Sequence, residues 1–332
     1  MKKRILITNV LSYIGNTFCR NIKHKNFEIV GIVPLGIDPK KYEDLKQLID
    51  IVPLAISDSS SVKDYLGRND YDVIFHIPDY YLHRFNSKKK LRKANVIAAI
   101  QLSEYCLKSG ALLIHVSSTN VFGTSPEELP AYFKTKDVML NKVANIMIEN
   151  EVHIEKNRLK GLKSIVLRHS ILYGEGCQGF AKLFTRLIKN RVLPLINERI
   201  YIQLTNILLL VDIMEQSITN LDAVGNNYNV VDYEPVTVGD LTQFTNRLLN
   251  HQKKYSEFHS LNIYVGRKIA KILYILRLCK SARFFHMLTN NWFFDTENLK
   301  RDFNSPRYNT IPAFASIVTG EKLNHRKVNE PD

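Results

Sequence analysis

The stretch Arg4-Ile-Leu-Ile-Thr-Asn-Val-Leu-Ser-Tyr-Ile-Gly15 decides the fold of this chain. Its beginning, Ile5 to Thr8, is apolar and rich in β-branched residues, which predicts a buried strand. Small and polar residues follow, and then Ile14, Phe18 and Ile22 recur at the spacing of one helix face. The stretch therefore predicts a strand, a tight turn and a helix, which is the first unit of an α/β fold.

The turn in this stretch has the frame of a dinucleotide-binding fingerprint but keeps one of its three glycines. In such a turn the glycines permit the bend, the approach of a pyrophosphate, and close packing of helix on strand. Those places fall on Asn9, Ser12 and Gly15. Asn tolerates left-handed backbone and Ser is small, so we expect the turn to form and the helix N-terminus to attract an anion. The cofactor-binding residues predicted here are Thr8, Asn9, Ser12, Tyr13, Ile14 and Gly15.

Short apolar segments alternate with helical ones over the first half of the chain. The predicted strands are Ile5 to Thr8, Glu28 to Val33, Ile51 to Leu54, Asp72 to Ile77, Leu112 to Ser117 and Ser164 to Arg168. This alternation predicts a doubly wound parallel sheet of the Rossmann type, with helices on both faces.

The alternation of short strands and helices changes after Gly174, which suggests a second, smaller lobe. A basic helix is expected around Phe180 to Leu195, strands at Arg199 to Leu204 and Asn227 to Val231, and a helix capped by Thr237. We therefore predict a dinucleotide-binding domain over residues 1–174, to which residues 200–232 return. Residues 175–199 and 233–332 form the predicted α/β substrate-binding lobe.

Composition narrows the function classes. With 46 Lys and Arg against 32 Asp and Glu, the net charge is +14, which favours anionic ligands. No nucleic-acid motif accompanies this charge, and the basic run Lys88–Lys93 is expected in a solvated loop before a helix, so no nucleic-acid partner is predicted. The four cysteines are scattered without metal-ligand spacing, and Met1–Arg4 leads directly into the first strand. We expect no metal site and a cytoplasmic protein.

The segment Val116-Ser-Ser-Thr-Asn-Val-Phe-Gly123, after a buried strand, resembles the extended short-chain dehydrogenases/reductases, the NAD(P)-dependent epimerase/dehydratase family. Further segments match this family in order along the chain: Asp72–His76, Ala94–Val96, Leu167–Gly174, Tyr228–Val231 and Phe294–Asp295. Within it, three regions most resemble bacterial nucleotide-sugar 4-epimerases and 4-keto reductases of surface-polysaccharide metabolism: Leu193–Leu195, the strand expected at Arg199, and the basic amphipathic segment 262–288.

The resemblance implies catalysis by a Ser or Thr together with a Tyr-x-x-x-Lys pair. By motif, Ser118 steadies a sugar hydroxyl, Tyr132 moves its proton, and Lys136 lowers the pKa of the tyrosine and holds the nicotinamide ribose. Tyr132 follows Ser118 by only 14 residues, which is short for the family. Val138 and Lys142 fit the usual spacing better but place a valine where the tyrosine belongs. We favour Tyr132 and Lys136 and keep the other alignment open.

The resemblance also implies a cofactor and a substrate, with several departures from the family pattern. The acidic residue that binds the adenosine ribose in NAD users falls on Val33, so the cofactor is NAD or NADP. Asp58 and Ile77 follow the third and fourth strands and complete the predicted cofactor site. Arg199 and Asn206 are the predicted contacts to the nucleotide-sugar substrate, the arginine through its planar fork to the diphosphate. A competing alignment puts Asp212 in the place of Asn206 and Thr205 in the place of the arginine, and both alignments stay open.

Two functions follow from these residues. The first is an NAD(P)-dependent nucleotide-sugar 4-epimerase or 4-keto reductase; the alternative is a catalytically inactive binding or regulatory protein of the same fold, favoured by the missing glycines. By resemblance the chain forms a homodimer through helices at 91–108 and 134–156. The basic amphipathic segment 262–288 could contact an anionic membrane surface, although such a stripe more commonly packs on its own protein.

Overall fold

The computed structural model describes residues 2–23, 26–79, 88–123, 142–177, 179–190, 200–249, 288, 290–304 and 308–319. Tyr132, Lys136, Val138 and Arg199 lie outside the described residues, as do residues 262–287 of the amphipathic segment. The side chain of Lys142 is likewise not described.

Eleven strands occur in the described part of the chain, most of them close to the predicted positions. They are β1 (Lys3–Ile7), β2 (Phe27–Val33), β3 (Asp50–Pro53), β4 (Val73–His76), β5 (Leu112–Ser118), β6 (Ser164–His169), β7 (Ile171–Tyr173), β8 (Tyr201–Ile202), β9 (Leu204–Asn206), β10 (Asn227–Val230) and β11 (Val236–Thr237). Seven of them form one parallel sheet, in the order β10-β6-β5-β4-β1-β2-β3. The predicted doubly wound parallel fold is confirmed.

Ten α-helices of the described residues connect or flank these strands. They are α1 (Tyr13–Asn21), α2 (Glu43–Lys46), α3 (Ser59–Leu66), α4 (Lys88–Ser109), α5 (Lys142–Arg158), α6 (Phe180–Lys189), α7 (Ile207–Ser217), α8 (Val238–Leu248), α9 (Glu297–Asp302) and α10 (Thr310–Thr319). Short 3₁₀ turns at Pro39–Tyr42 and Thr119–Val121 complete the connections.

Both faces of the large sheet are buried, because successive residues of each strand point to opposite sides. Ile5 and Ile7 of β1 join a core with α1 and α7, whereas Leu6 joins a core with α3, α4 and α5. A third core packs α6, α8 and α10 around Phe184 and Phe314. The division into a dinucleotide-binding domain and a substrate lobe stays a prediction.

Two local predictions were wrong. Lys88–Lys93 is the first part of α4 and not a loop. Asn95 stabilises the start of this helix, because its Nδ2 donates to the carbonyls of Asp79 and Leu91, both at 2.9 Å. The expected strand up to Leu204 divides at Gln203, whose backbone N–H donates to Trp292 O and not to a neighbouring strand. The predicted cap is confirmed: Thr237 Oγ1 accepts from the backbone N–H of Asp240 at 2.9 Å.

Candidate functional site

The order of the strands locates a crevice at the carboxyl edge of the sheet. β1 lies between β2 and β4, so the chain runs outward in one direction to β3 and in the other to β10. In parallel α/β sheets, ligands bind at the carboxyl ends of the strands where the order reverses in this way. The β1–α1 turn and the ends of β4 and β5 therefore border the candidate site.

The β1–α1 turn is closed by Asn9 and Ser12 in place of two glycines. Asn9 has φ 53°, which makes it the one non-glycine residue with positive φ in the described ranges. Ser12 caps α1, since its Oγ accepts from the N–H of Gly15 at 3.0 Å and donates to Asn9 O at 2.8 Å. The prediction that Asn9 would adopt left-handed backbone and let the turn form is confirmed.

Gly15 is the position in this turn that no other residue can occupy without displacement. A Cβ atom there would lie 2.5 Å from Asn9 O and 2.9 Å from Val10 Cα, both backbone atoms. The missing side chain lets the first turn of α1 approach the end of β1, as the fingerprint requires.

The N-terminus of α1 keeps donors for an anion. In the part of the chain that the structure describes, no acceptor pairs with the backbone N–H groups of Tyr13 and Ile14. These groups belong to the first helical turn, where the dipole favours negative charge. The turn therefore fits the pyrophosphate of a dinucleotide. The N–H of Gly15 already donates to Ser12 Oγ and is not among these donors.

A hydrogen bond connects the residue after β4 to the residue after β1. Thr8 Oγ1 accepts from the N–H of Ile77 at 2.8 Å, and both side chains are buried. Thr8 and Ile77 thus form the floor of the crevice between the two strands.

The adenosine side of the crevice contains no acidic ribose ligand in the predicted place. Val33 is fully buried and packs in the core between the sheet and α1. Asp38 Oδ1 accepts from the N–H of Lys40. Asp58 caps α3, and its hydrogen bonds from Ser61 and Ser60 lower the pKa of its carboxyl group. Both neighbouring carboxylates are therefore used in local capping.

Ser118 ends β5 at the carboxyl edge and lies beside His169 of β6 in the strand register. Its side chain is 1% exposed, and its Oγ accepts from Asn120 Nδ2 at 2.7 Å. Next to it, Ser117 points to the other side of β5 and donates to Glu151 Oε1 at 2.5 Å. The serine predicted for catalysis thus lies on a rigid strand end.

Glu151 of α5 and Arg168 of β6 form a shielded ion pair behind this serine. Their nearest atoms are 2.7 Å apart, and the two side chains are only 13% and 15% exposed. The Arg168 guanidinium also lies over the ring of Phe122, with 4.9 Å between the guanidinium carbon and the ring centroid. The pair connects α5, β6 and the segment around Ser118, and sequence reasoning quoted Arg168 only as part of a motif.

Asn206 caps α7 and belongs to a buried polar network. Its Oδ1 accepts from Leu208 N–H, and its own N–H donates to Asp232 Oδ1, both at 2.9 Å. Asp232 Oδ2 accepts from the hydroxyls of Tyr173 and Thr310 at 2.6 and 2.5 Å. Burial raises the pKa of the Asp232 carboxyl to about 7, although these hydrogen bonds oppose the shift. Sequence reasoning missed Asp232, which directly follows the quoted Tyr228–Val231 segment.

The strand histidines are packed and lack a catalytic arrangement. His76 and His115 face each other in the core with 2.9 Å between their Nδ1 atoms, and His169 Nδ1 lies 2.6 Å from Ser170 O. Burial lowers the pKa of all three, that of His115 to about 3 and that of His169 to about 4. They are neutral at physiological pH.

Comparison with known proteins agrees with this architecture. The sequence pattern of the NAD dependent epimerase/dehydratase family matches residues 5–216. A curated relative, UDP-N-acetyl-alpha-D-glucosaminuronate decarboxylase of Bacillus cytotoxicus, is 23% identical over 182 residues, which cover 52% of this chain and 56% of that protein. The match thus spans little more than half the length of the relative.

Solved structures share the fold over nearly the whole chain. UDP-glucose 4-epimerase of Thermotoga maritima, solved with UDP-glucose, has a TM-score of 0.70 at 15% identity. The superposition covers 98% of this chain and 100% of the epimerase chain. WbmH of Bordetella bronchiseptica, solved with NAD+, has a TM-score of 0.68 at 14% identity, with coverage of 99% and 100%. At these identities the likeness shows the fold alone.

Proposed function

The chain belongs to the NAD-dependent epimerase/dehydratase family, and on that premise we propose that it binds NAD or NADP and acts on a nucleotide sugar as a 4-epimerase or 4-keto reductase. One observation carries the proposal. The β1–α1 turn keeps its geometry without two of its glycines, because Asn9 takes φ 53° and Gly15 leaves room for close packing. The N–H groups of Tyr13 and Ile14, which have no acceptor among the described residues, then offer a site for the pyrophosphate.

In this proposal Thr8 and Ile77 form the floor beneath the dinucleotide, and Ser12, Tyr13 and Ile14 border its pyrophosphate. Val33 borders the adenosine without a carboxylate, which leaves the choice between NAD and NADP open. Asp58 contributes through the helix start that it caps, since its carboxylate is occupied by Ser60 and Ser61.

The proposed chemistry divides between the cofactor and the chain. The bound nicotinamide supplies hydride exchange. Ser118 holds the reacting sugar hydroxyl, Tyr132 transfers its proton, and Lys136 favours the ionised tyrosine. The buried strand end that carries Ser118 supports its part, because a fixed hydroxyl orients the substrate at little entropic cost.

We further propose that Arg199 and Asn206 contact the nucleotide diphosphate. The net charge of +14 complements such an anion. The match to a relative named for a UDP-sugar substrate supports this class of ligand. A role in surface-polysaccharide metabolism, a cytoplasmic location and a homodimer through α4 and α5 belong to the same proposal.

Contact of segment 262–288 with an anionic membrane is also part of it. Among the described residues, no helix has the length and hydropathy needed to cross a bilayer. Liposomes of anionic and of neutral lipid, compared at low salt, test the surface contact. Failure to bind the anionic liposomes at low salt would remove the membrane from the proposal.

A catalytically inactive binding protein is the second candidate, and a specific observation favours it. The side chain of Val33 is buried in the core and has no acceptor for a ribose, and the carboxylates of Asp38 and Asp58 accept hydrogen bonds from their own helix starts. Such a protein would keep the fold but neither the affinity for a dinucleotide nor turnover.

Calorimetric titration with NAD(H) and NADP(H) separates the candidates, after any cofactor retained through purification has been removed. Micromolar binding of either dinucleotide supports the enzyme. Absence of binding at millimolar concentrations would contradict both the cofactor site and the enzyme. If the cofactor binds, replacing Tyr132 with Phe should abolish turnover of UDP-sugars without changing that affinity; full activity in the variant would favour another acid–base residue.

A further inference from the structure

Tyr13 makes a contact that the cofactor site alone does not require. It is the first residue of α1, and its hydroxyl donates to the backbone carbonyl of Glu175 at 2.9 Å. Glu175 follows β7, which itself directly follows β6. A single side chain therefore joins the β1–α1 turn to the segment Gly174–Cys177.

The position of this hydrogen bond relative to the sheet gives it significance. β1 and β6 are separated by β4 and β5 in the large sheet, whose strands here are all parallel. β7 continues from the carboxyl end of β6 after one residue and pairs with β9 outside this sheet. The contact thus joins the turn after β1 to the chain that continues from β6, and the strand ends with Ile77 and Ser118 lie between β1 and β6 in the sheet order.

The segment beyond Gly174 is shaped to receive Tyr13. Gly174 has φ 136°, and a Cβ atom there would lie 2.5 Å from Ile207 Cγ2 and 3.1 Å from the Tyr13 hydroxyl. A Cβ atom at Gly176 would lie 3.7 Å from Tyr13 Cε2. The segment also closes on itself, because Cys177 N–H donates to Gly174 O at 3.2 Å. Two glycines therefore let a compact turn pack against the tyrosine.

We propose that the Tyr13–Glu175 hydrogen bond is a tie across the dinucleotide crevice that slows the exchange of bound cofactor. The inference rests on the proposed function. Tyr13 is a positioning residue here, since its hydroxyl acts through the Gly174–Cys177 turn and does not touch the reacting atoms. A retained cofactor suits an enzyme that returns the same hydride to its sugar, as an epimerase does, more than a reductase that must exchange NAD(P)+ for NAD(P)H in every cycle.

The test compares Tyr13→Phe, which removes only the hydroxyl, with Tyr105→Phe. Tyr105 is a stringent control, because its hydroxyl donates to the backbone carbonyl of Asn69 at 3.1 Å and also accepts from the N–H of Tyr71 at 3.0 Å, before β4 at the opposite edge of the sheet. The probe is NADH, or NADPH if calorimetry selects it, and its dissociation rate is measured by stopped-flow fluorescence with excess oxidised cofactor. Loss of one hydrogen bond predicts dissociation about fivefold faster in Tyr13→Phe.

A second readout needs no cofactor. Amide hydrogen exchange of the Gly174–Cys177 segment should be faster in Tyr13→Phe than in the wild-type protein, and unchanged in Tyr105→Phe. Wild-type rates of dissociation and of exchange in Tyr13→Phe would overturn the tie while leaving the proposed function intact. Failure of the wild-type protein to bind either dinucleotide would instead overturn the proposed function, and the tie with it.

Discussion

At the scale of single residues, Gly15 limits the β1–α1 turn most strictly. Ala is ordinarily the better helix residue by about 1 kcal/mol, so propensity alone predicts that Gly15→Ala stabilises α1. The structure predicts the opposite, because the added Cβ would lie 2.5 Å from Asn9 O. We expect the free energy of unfolding to fall by about 1–3 kcal/mol and the affinity for NAD(H) to fall at least tenfold, measured by urea denaturation and calorimetry.

Gly67→Ala is the matched control for this substitution. Gly67 caps the C-terminus of α3 with φ −69°, which Ala adopts freely, and its added Cβ would lie 3.1 Å from Lys63 O. This variant should lose less than about 1 kcal/mol and keep its cofactor affinity. If Gly15→Ala behaved like the control, the close approach in the turn would not matter for binding.

At the scale of elements, the Glu151–Arg168 ion pair connects α5 to the sheet. Glu151→Ala would leave the guanidinium of Arg168 largely buried without its carboxylate and remove the acceptor of Ser117. Breaking one half of a buried pair costs about 3–5 kcal/mol. Because the pair is 13–15% exposed, we expect a loss at the lower end of that range in urea denaturation.

Glu149→Ala provides the comparison on the same helix. Glu149 pairs with Arg92 of α4, but those side chains are 36% and 55% exposed. Water screens such a pair, so its loss should cost less than about 1 kcal/mol. Equal losses in the two variants would show that Glu151 does not anchor α5.

At the scale of the whole molecule, buried titratable groups set the dependence of stability on pH. Burial lowers the pKa of His76, His115 and His169 in the folded state, whereas each titrates near 6.5 when unfolded. Their contribution to the free energy of unfolding is therefore complete above about pH 6.5. It is lost as the pH falls below about 6.5, by about 1.4 kcal/mol per pH unit for each histidine. Asp232 acts in the opposite direction, since its raised pKa stabilises the fold at low pH and this contribution is lost as the pH rises towards about 7.

The three histidines should outweigh the one carboxyl group below pH 6. The free energy of unfolding, measured in urea between pH 7.5 and 4.5, should then fall with acidification. The glutamine of His169→Gln can still donate to Ser170 O and does not titrate. The free energy of unfolding of this variant should therefore fall less steeply with acidification than that of the wild-type protein, by the contribution of one histidine. An unchanged slope in this variant would mean that His169 is already protonated in the folded protein.

Much of the fold could be predicted from the sequence because local patterns determine it. Apolar β-branched runs such as Glu28–Val33 can be satisfied only in a strand that is buried on both faces, and Thr237 before an acidic helix start can be recognised as a cap. The ability of Asn9 to take left-handed backbone is likewise an intrinsic property of that residue. These features need no knowledge of distant partners.

The rest was decided by contacts between residues far apart in sequence. The start of α4 depends on Asn95 reaching back to Asp79, and the break at Gln203 depends on Trp292, 89 residues away. Asp232 joins Tyr173, Asn206 and Thr310, and Tyr13 reaches Glu175. The sequence by itself determined the parallel sheet and the β1–α1 turn, because local hydrophobicity and backbone preference suffice for them. Only the tertiary structure decided which polar groups distant in sequence pair with one another, because such pairing depends on distances that no local pattern encodes.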